Sequence, residues 1–214
     1  MTGVRRQASE KTGRADLTPD AQGLTPELIV VGCSLGGMDA LEKILKKLPQ
    51  DCRVPIAVAQ HRHRRSDESL PAFLSRSTHM RVVDVVDKQW IEPGKVYLAP
   101  PDYHLLVAKG EFNLSVDEAV RHSRPSVDVL FESAADAYGP NLIGIVLTGA
   151  NEDGAAGAQR IKQRGGTVIV QDPKTAEAPT MPEAVIATGV VDQILNLEEI
   201  AAFVAEHCRV ALTP

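Results

Sequence analysis

The chain has 214 residues, of which 43% are hydrophobic and 24% are charged, an ordinary composition for a globular protein with one substantial core. Its net charge of -5 argues against a general nucleic-acid binder, which needs a basic surface. No run of about 18 apolar residues occurs and the N-terminus has no apolar stretch, so we expect neither membrane insertion nor secretion.

The chain has three cysteines, Cys33, Cys52 and Cys208, an odd number without a Cys-x-x-Cys pair. This spacing indicates neither a disulfide framework nor a zinc ribbon. We therefore expect a cytoplasmic protein that holds no structural metal.

The N-terminal segment differs in composition from the rest of the chain. Residues 1–26 carry many charges and almost no large apolar side chains, too few to offset the entropy of ordering. We predict a disordered polar tail over residues 1–26 and one folded domain over residues 27–214.

From residue 28 onward, apolar runs alternate with helical patterns. Continuous Val/Ile-rich runs are typical of parallel strands buried on both faces, and they occur at 28–31, 56–59, 82–86, 142–147 and 167–170. Apolar residues at helical spacing, with a capping-box-like start at Asn196 and Glu199 for the last segment, predict helices over 41–48, 127–138, 155–164 and 197–208. The alternation predicts an α/β fold, a doubly wound, mostly parallel sheet with helices on both faces.

One stretch interrupts this alternation. Residues 94–116 contain three short strand-like runs, joined by turn residues that include Lys109 and Gly110, at 96–98, 104–107 and 112–114. We predict a small antiparallel excursion at the sheet edge.

Ser34 stands in the segment Gly32-Cys33-Ser34-Leu35-Gly36-Gly37, directly after the first predicted strand and before a helical pattern. Flanking glycines allow a tight turn that leaves the hydroxyl bare, and N–H groups at a helix start favour developing negative charge, so Ser34 is a candidate nucleophile. Two alternatives stay open: a dinucleotide-binding loop, in which Ser34 would replace the second glycine, and a structural turn in which Ser34 only caps the helix.

Two further reactive side chains follow predicted strands. In open α/β sheets the ligand crevice lies beyond the carboxyl ends of the strands, where His61 and Asp153 would join Ser34. A neutral imidazole can take the serine proton, and a carboxylate can orient the imidazole. The alternatives are a metal site that uses His61 with His63, and a helix-capping role for Asp153, with Glu152 able to take either carboxylate role.

Several strings of the chain are similar to the catalytic domain of the bacterial chemotaxis protein-glutamate methylesterases, the CheB family. The resemblance covers about residues 28–208 and rests on Gly32-x-Ser34-x-Gly36-Gly37, Gln60-His61, 93–100, 124–131, 147–149, 153–157 and 181–184. It implies a methylesterase-like catalytic domain that hydrolyses glutamyl methyl esters, deamidates receptor glutamines and needs no cofactor.

The resemblance also implies site roles and partners. Ser34 would be the nucleophile, His61 the general base, and Asp153 the residue that orients His61. Backbone N–H groups at His61 and Ala150 would form the oxyanion hole. The substrate would be a methylated chemoreceptor cytoplasmic domain or another chemosensory protein.

The chain departs from the family pattern in three ways. It contains no phosphorylatable receiver domain before the catalytic part, so we expect a separate receiver protein as a partner and no phosphorylation in cis. Leu35 stands where the family commonly has threonine, and Ala150-Asn151-Glu152-Asp153-Gly154 stands where it usually has Met-Gly-x-Asp-Gly. The oxyanion loop is therefore expected to differ.

A basic cluster follows His61 directly. Arg62, Arg64 and Arg65 form a candidate docking surface for an acidic receptor bundle, the alternative being a solvated loop. Two other functions stay open: a catalytically weak binding or scaffold module in a chemosensory-like pathway, and a hydrolase acting on a different ester or amide.

Overall fold

Parallel strands form the central sheet of the computed structural model, which describes residues 26–61 and 70–208. Within those ranges the sheet has seven strands. They are β1 (Leu28–Cys33), β2 (Ile56–Gln60), β3 (Arg81–Asp84), β4 (Lys95–Leu98), β7 (Leu142–Val146), β8 (Thr167–Gln171) and β9 (Gln193–Leu195). The strand order is β3-β4-β2-β1-β7-β8-β9, and each neighbouring pair is parallel. The predicted doubly wound α/β class is confirmed.

Helices cover both faces of this sheet. They are α1 (Gly37–Leu45), α2 (Leu70–Leu74), α3 (Val127–Tyr138), α4 (Ala155–Gln163), α5 (Thr180–Ala187) and α6 (Leu197–Cys208). Alternate residues of β1 supply the two cores: Leu28 and Val30 pack with α3, α4 and α5, whereas Ile29 and Val31 pack with α1, α2 and α6. Because β1 is buried on both faces, its sequence is a continuous apolar run rather than an alternating one.

The antiparallel excursion is a separate two-stranded sheet of β5 (His104–Ala108) and β6 (Glu111–Ser115). It packs against α3 and places Leu105 and Phe112 in the core, with the rings of Phe112 and Tyr97 4.8 Å apart. One detail of the prediction was wrong. Residues 96–98 belong to β4, which pairs in parallel with β2 and β3 inside the main sheet. A short apolar run carries no information about strand direction.

The capping box at the start of α6 is confirmed. The N–H of Glu199 donates to Oδ1 of Asn196 at 3.0 Å, and the N–H of Asn196 donates to Oε2 of Glu199 at 2.9 Å. Among the α-helices and strands of the described ranges, α2, α5 and β9 were not predicted. The predicted tail lies almost wholly outside the described residues. No helix within the described ranges is both long and apolar enough to cross a membrane.

Cys52 and Cys208 form a disulfide, contrary to the expectation from cysteine spacing. The two residues are 156 positions apart, and they meet because α1, whose C-terminus precedes Cys52, packs against α6, which ends at Cys208. Cys33 is a free thiol, and burial raises its pKa. A pairing of this kind depends on tertiary packing, which the sequence spacing does not reveal.

We expect Cys208→Ala to lower the free energy of unfolding by about 2–4 kcal/mol in oxidising buffer, because the cross-link restricts the unfolded chain. Urea unfolding of both proteins, with and without dithiothreitol, measures this. In reducing buffer the two proteins should agree within about 1 kcal/mol. Equal stability in oxidising buffer would contradict the prediction.

Candidate active site

The order of the strands places the candidate residues at one rim of the sheet. In the sheet, β2, the next strand along the chain, lies on one side of β1, and β7 lies on the other side. This is the topological switch point at which α/β sheets bind ligands. Ser34 follows β1, His61 follows β2, and Asp153 follows β7.

Hydrogen bonds from both neighbouring strand ends fix the turn that carries Ser34. The Ser34 N–H donates to the Thr148 carbonyl at 2.9 Å, and the Ser34 carbonyl accepts from Gly37 N and from Gln60 Nε2, each at 2.9 Å. The residue that caps α1 is Gly36, with φ 75° and no side-chain cap. Ser34 therefore does not act as a helix cap, and its side chain is left for another role.

Small residues let the chain approach Ser34 closely. A Cβ on Gly149 would lie 3.0 Å from Ser34 Cβ and 2.7 Å from Met181 Cε, and a Cβ on Gly36 would lie 2.6 Å from Glu177 Oε2. A larger residue at position 149 would therefore displace the serine or the methionine. Leu35, directly after Ser34, is 54% exposed. It presents an apolar side chain to solvent beside the candidate nucleophile.

Gln60 holds the turns after β1 and β2 together. Its amide nitrogen donates to the Ser34 carbonyl at 2.9 Å and to the His61 carbonyl at 3.1 Å, and its oxygen accepts from the Cys33 thiol at 2.8 Å. Sequence reasoning included Gln60 in a family string but gave it no role. The sequence feature that could have identified this role is a single amide side chain at the end of an otherwise apolar strand.

His61 and Asp153 are in direct contact. His61 Nε2 lies 2.8 Å from Asp153 Oδ2, and the side chains are 12% and 0% exposed. Glu152, the alternative carboxylate, is turned away and pairs with Arg121 at 3.4 Å. Asp153 is therefore the acid that faces the imidazole.

Asp153 also accepts hydrogen bonds at the start of α3. Its donors there are Ser126 Oγ at 2.9 Å, Val127 N at 2.7 Å and Asp128 N at 2.9 Å. Burial opposes ionisation, but the hydrogen bonds from His61 and from these backbone groups hold the pKa of Asp153 below its usual range. The helix-capping alternative placed Asp153 at the start of the helix that follows it, α4, and it was wrong, because the N-cap of α4 is Gly154 with no side-chain cap. Asp153 instead accepts N–H groups at the start of α3 while it contacts His61.

A second buried carboxylate, Asp128, lies behind this pair. Its Oδ1 accepts from Gly154 N at 2.9 Å and from Gly157 N at 2.8 Å, and its Oδ2 lies 3.4 Å from Arg121 Nε. Burial, together with the charge of Asp153, raises the pKa of Asp128. Sequence reasoning missed this residue, which stands within the helical pattern of α3.

The Ser34 hydroxyl is not joined to His61. Within the described part of the chain, Ser34 Oγ makes no hydrogen bond, and the second ring nitrogen of His61, Nδ1, lies 3.3 Å from Asn151 Nδ2. Hydrogen bonds of catalytic groups are often absent or long before substrate binds. The structure thus brings His61 and Asp153 together and leaves Ser34 on the adjacent turn.

The oxyanion prediction named two backbone N–H groups. The N–H of His61 already donates to the Cys33 carbonyl at 3.1 Å, which argues against its use for an oxyanion. The N–H of Ala150 has no acceptor among the described residues. Ala150 therefore stays the predicted donor.

Other candidates fall outside the described residues. Arg62, Arg64 and Arg65 lie there, as does His63 of the metal-site alternative. Among the residues that are described, no group of three or more His, Cys, Asp or Glu side chains could hold a metal ion.

A serine on a strand-to-helix turn, beside a buried His–Asp pair at the switch point, is the arrangement of a serine hydrolase. Comparison with known proteins gives a narrower class. The family model for CheB methylesterase matches residues 29–204. The chain therefore belongs to the CheB methylesterase family.

Individual relatives agree. A Leptospira interrogans protein named putative protein-glutamate methylesterase/protein-glutamine glutaminase is 46% identical, over 82% of this chain and 91% of that protein. Protein-glutamate methylesterase FrzG of Myxococcus xanthus is 38% identical, over 82% of this chain but 53% of that protein. The crystal structure of the Thermotoga maritima CheB methylesterase catalytic domain superposes with a TM-score of 0.81 at 34% identity, covering 85% of this chain and 98% of that one.

Proposed function

We propose that this chain is a protein-glutamate methylesterase that demethylates glutamyl methyl esters and also deamidates glutamines. The observation that carries the proposal is the buried His61–Asp153 contact at 2.8 Å beside the Ser34 turn, in a chain of the CheB methylesterase family. The proposed substrate is the cytoplasmic domain of a chemoreceptor or another chemosensory protein, and the proposed location is the cytoplasm.

The proposed reaction proceeds through an acyl-enzyme. Because Nε2 of His61 contacts Asp153, the nitrogen that takes the Ser34 proton is Nδ1. Ser34 Oγ bonds to the ester carbonyl carbon, and the Ala150 N–H stabilises the oxyanion. His61 then returns the proton to the leaving methoxide, which departs as methanol. Water, activated by the same imidazole, hydrolyses the acyl-enzyme and frees the glutamate carboxylate and Ser34.

Deamidation follows the same steps with ammonia in place of methanol. The imidazolium formed in the first step protonates the leaving nitrogen, and the depressed pKa of Asp153 keeps that carboxylate ionised to stabilise the imidazolium. Leu35, exposed beside Ser34, would contact the apolar part of the substrate surface.

One observation favours a second candidate, a binding or scaffold module with little turnover. Ser34 Oγ makes no hydrogen bond to His61 in the described part of the chain, and Asn151 contacts the nitrogen that would act as base. A scaffold would bind the receptor domain without releasing methanol from it.

The test is methanol release from a radiolabelled, methylated receptor cytoplasmic domain. We expect the protein to release methanol from the methylated form and ammonia from a form that carries glutamine at the same positions, with neither product from the glutamate form. Binding of the methylated domain without methanol release would contradict the methylesterase proposal and support the scaffold.

A further inference from the structure

His61 has one ring nitrogen that Asp153 does not occupy, and Asn151 lies on it. Because Nε2 faces a carboxylate whose pKa is depressed, Nε2 carries the ring proton and Nδ1 carries the lone pair. Asn151 Nδ2 approaches that lone pair at 3.3 Å. We call this contact the amide cap.

The orientation of the Asn151 amide follows from its other partner. Asn151 Oδ1 accepts a hydrogen bond from the N–H of Asp153 at 3.2 Å, and a backbone N–H can only donate. The oxygen of the amide is thereby assigned, so the group that faces His61 is the NH2 donor. The cap therefore places an N–H donor on the base nitrogen.

The amide cap and proton transfer from Ser34 compete for one lone pair. A neutral imidazole has a single acceptor nitrogen, so Nδ1 can receive either the Asn151 N–H or the Ser34 O–H. Ser34 Oγ makes no hydrogen bond within the described ranges, which agrees with the lone pair being taken.

The cap is built so that it can open. Its length of 3.3 Å is at the long end for a hydrogen bond, and Asn151 Nδ2 has a second acceptor, Ser123 Oγ, at 3.4 Å. The two N–H groups of the amide make these two contacts at the same time, and both are long, so the cap can open without the loss of a short hydrogen bond.

We propose that Asn151 is a positioning residue that caps the base nitrogen of His61 in the resting protein, and that the cap opens before Ser34 reacts. This inference rests on the proposed function, since it gives His61 the role of base.

Other charged groups belong to the same part of the site. Asp153 contacts the imidazole, the N–H of Asp128 donates to Asp153, and Glu152, next to Asp153 in the chain, pairs with Arg121. Arg62, Arg64 and Arg65 follow His61 in the chain but lie outside the described residues. The variant Asn151→Ser changes none of these charged groups, so their effect on His61 is the same in both proteins.

The test is Asn151→Ser. Serine is neutral and keeps an oxygen that can accept from the Asp153 N–H, but it is too short to reach His61. We expect the plateau rate at which a fluorophosphonate labels Ser34 to rise about three- to tenfold, the range of one modest hydrogen bond.

Two further measurements distinguish the amide cap from a purely structural role of Asn151, and failure of the cap from failure of the proposed function. Ser123→Ala removes only the second acceptor of the amide, so it should give no increase in labelling rate. By ¹⁵N NMR at neutral pH, the His61 Nδ1 resonance should shift in Asn151→Ser relative to the wild type, because the hydrogen bond to that nitrogen is lost. This readout needs no activity.

The outcomes are distinct. A plateau rate that is unchanged or lower in Asn151→Ser, or a His61 Nδ1 resonance that does not shift, overturns the amide cap. If the fluorophosphonate leaves the wild-type protein unlabelled, Ser34 is not the nucleophile and the cap has no catalytic role. The Nδ1 resonance would then report only whether the contact between Asn151 and His61 exists.

Discussion

Ser34→Ala is expected to lower the rate of methanol release by at least about 10³-fold, because the proposed mechanism forms the acyl-enzyme on the Ser34 hydroxyl, which alanine lacks. The change should leave stability nearly unaltered. Ser34 is partly exposed, and within the described residues its hydroxyl makes no hydrogen bond, so we expect the free energy of unfolding to change by less than about 0.5 kcal/mol. Methanol release and urea unfolding of the same preparation measure both quantities.

A matched control and a double variant sharpen this prediction. Ser77→Ala makes the same chemical change at a hydroxyl that donates to Glu42 on α1 at 2.6 Å, and it should keep wild-type turnover. Adding His61→Ala to Ser34→Ala should cost no further activity, because groups that act in one step are not additive. Retention of more than a tenth of the activity by Ser34→Ala would rule out Ser34 as the nucleophile.

Local patterns of apolar residues were sufficient to predict many of the strands and helices. Buried parallel strands are continuous apolar runs and amphipathic helices repeat every three or four residues, so α3 and α6 were predicted with the bounds that the structure has. The meeting of His61 with Asp153 was also predictable, because β2 and β7 flank β1 and their carboxyl ends share one rim.

What the sequence did not reveal depends on contacts between distant segments. The Cys52–Cys208 disulfide spans 156 positions, and the direction of β4 is set by its neighbours β2 and β3. Asp128 stands within an amphipathic helical pattern, where nothing local distinguishes a carboxylate that binds the N-terminus of another helix. The contact between Asn151 and His61 likewise joins residues 90 positions apart.

Asp153→Asn is expected to lower turnover by about 10²–10⁴-fold and to destabilise the fold by about 2–4 kcal/mol. Both oxygens of Asp153 accept from donors: Oδ2 from His61 and Val127 N, and Oδ1 from Ser126 and Asp128 N. An asparagine NH2 in either place must face a backbone N–H. The variant therefore loses a buried acceptor and misdirects the imidazole.

The stability difference should depend on pH in a defined direction. The pKa of Asp153 in the folded protein lies below its usual value of 3.8, so its stabilisation is fully present above that pH and is lost as pH falls through the folded value. The gap in unfolding free energy between wild type and Asp153→Asn should therefore be constant near neutral pH and shrink below about pH 4. Urea unfolding from pH 3 to 7 measures it.

Asp128→Asn is the matched control, since it makes the same change at the neighbouring carboxylate. Oδ1 of Asp128 alone accepts from Gly154 and Gly157, so an asparagine can keep its oxygen there. Its NH2 then faces the Arg121 guanidinium, but the Arg121 side chain is 46% exposed and can turn into solvent, whereas the backbone N–H groups at Asp153 are fixed. Burial and the charge of Asp153 already raise the pKa of Asp128, so neutralising it costs little. We expect turnover within about fivefold of wild type and a stability change within about 1 kcal/mol. Equal losses in the two variants would mean that the site responds to its buried charge as a whole, and that the contact between Asp153 and His61 has no special role.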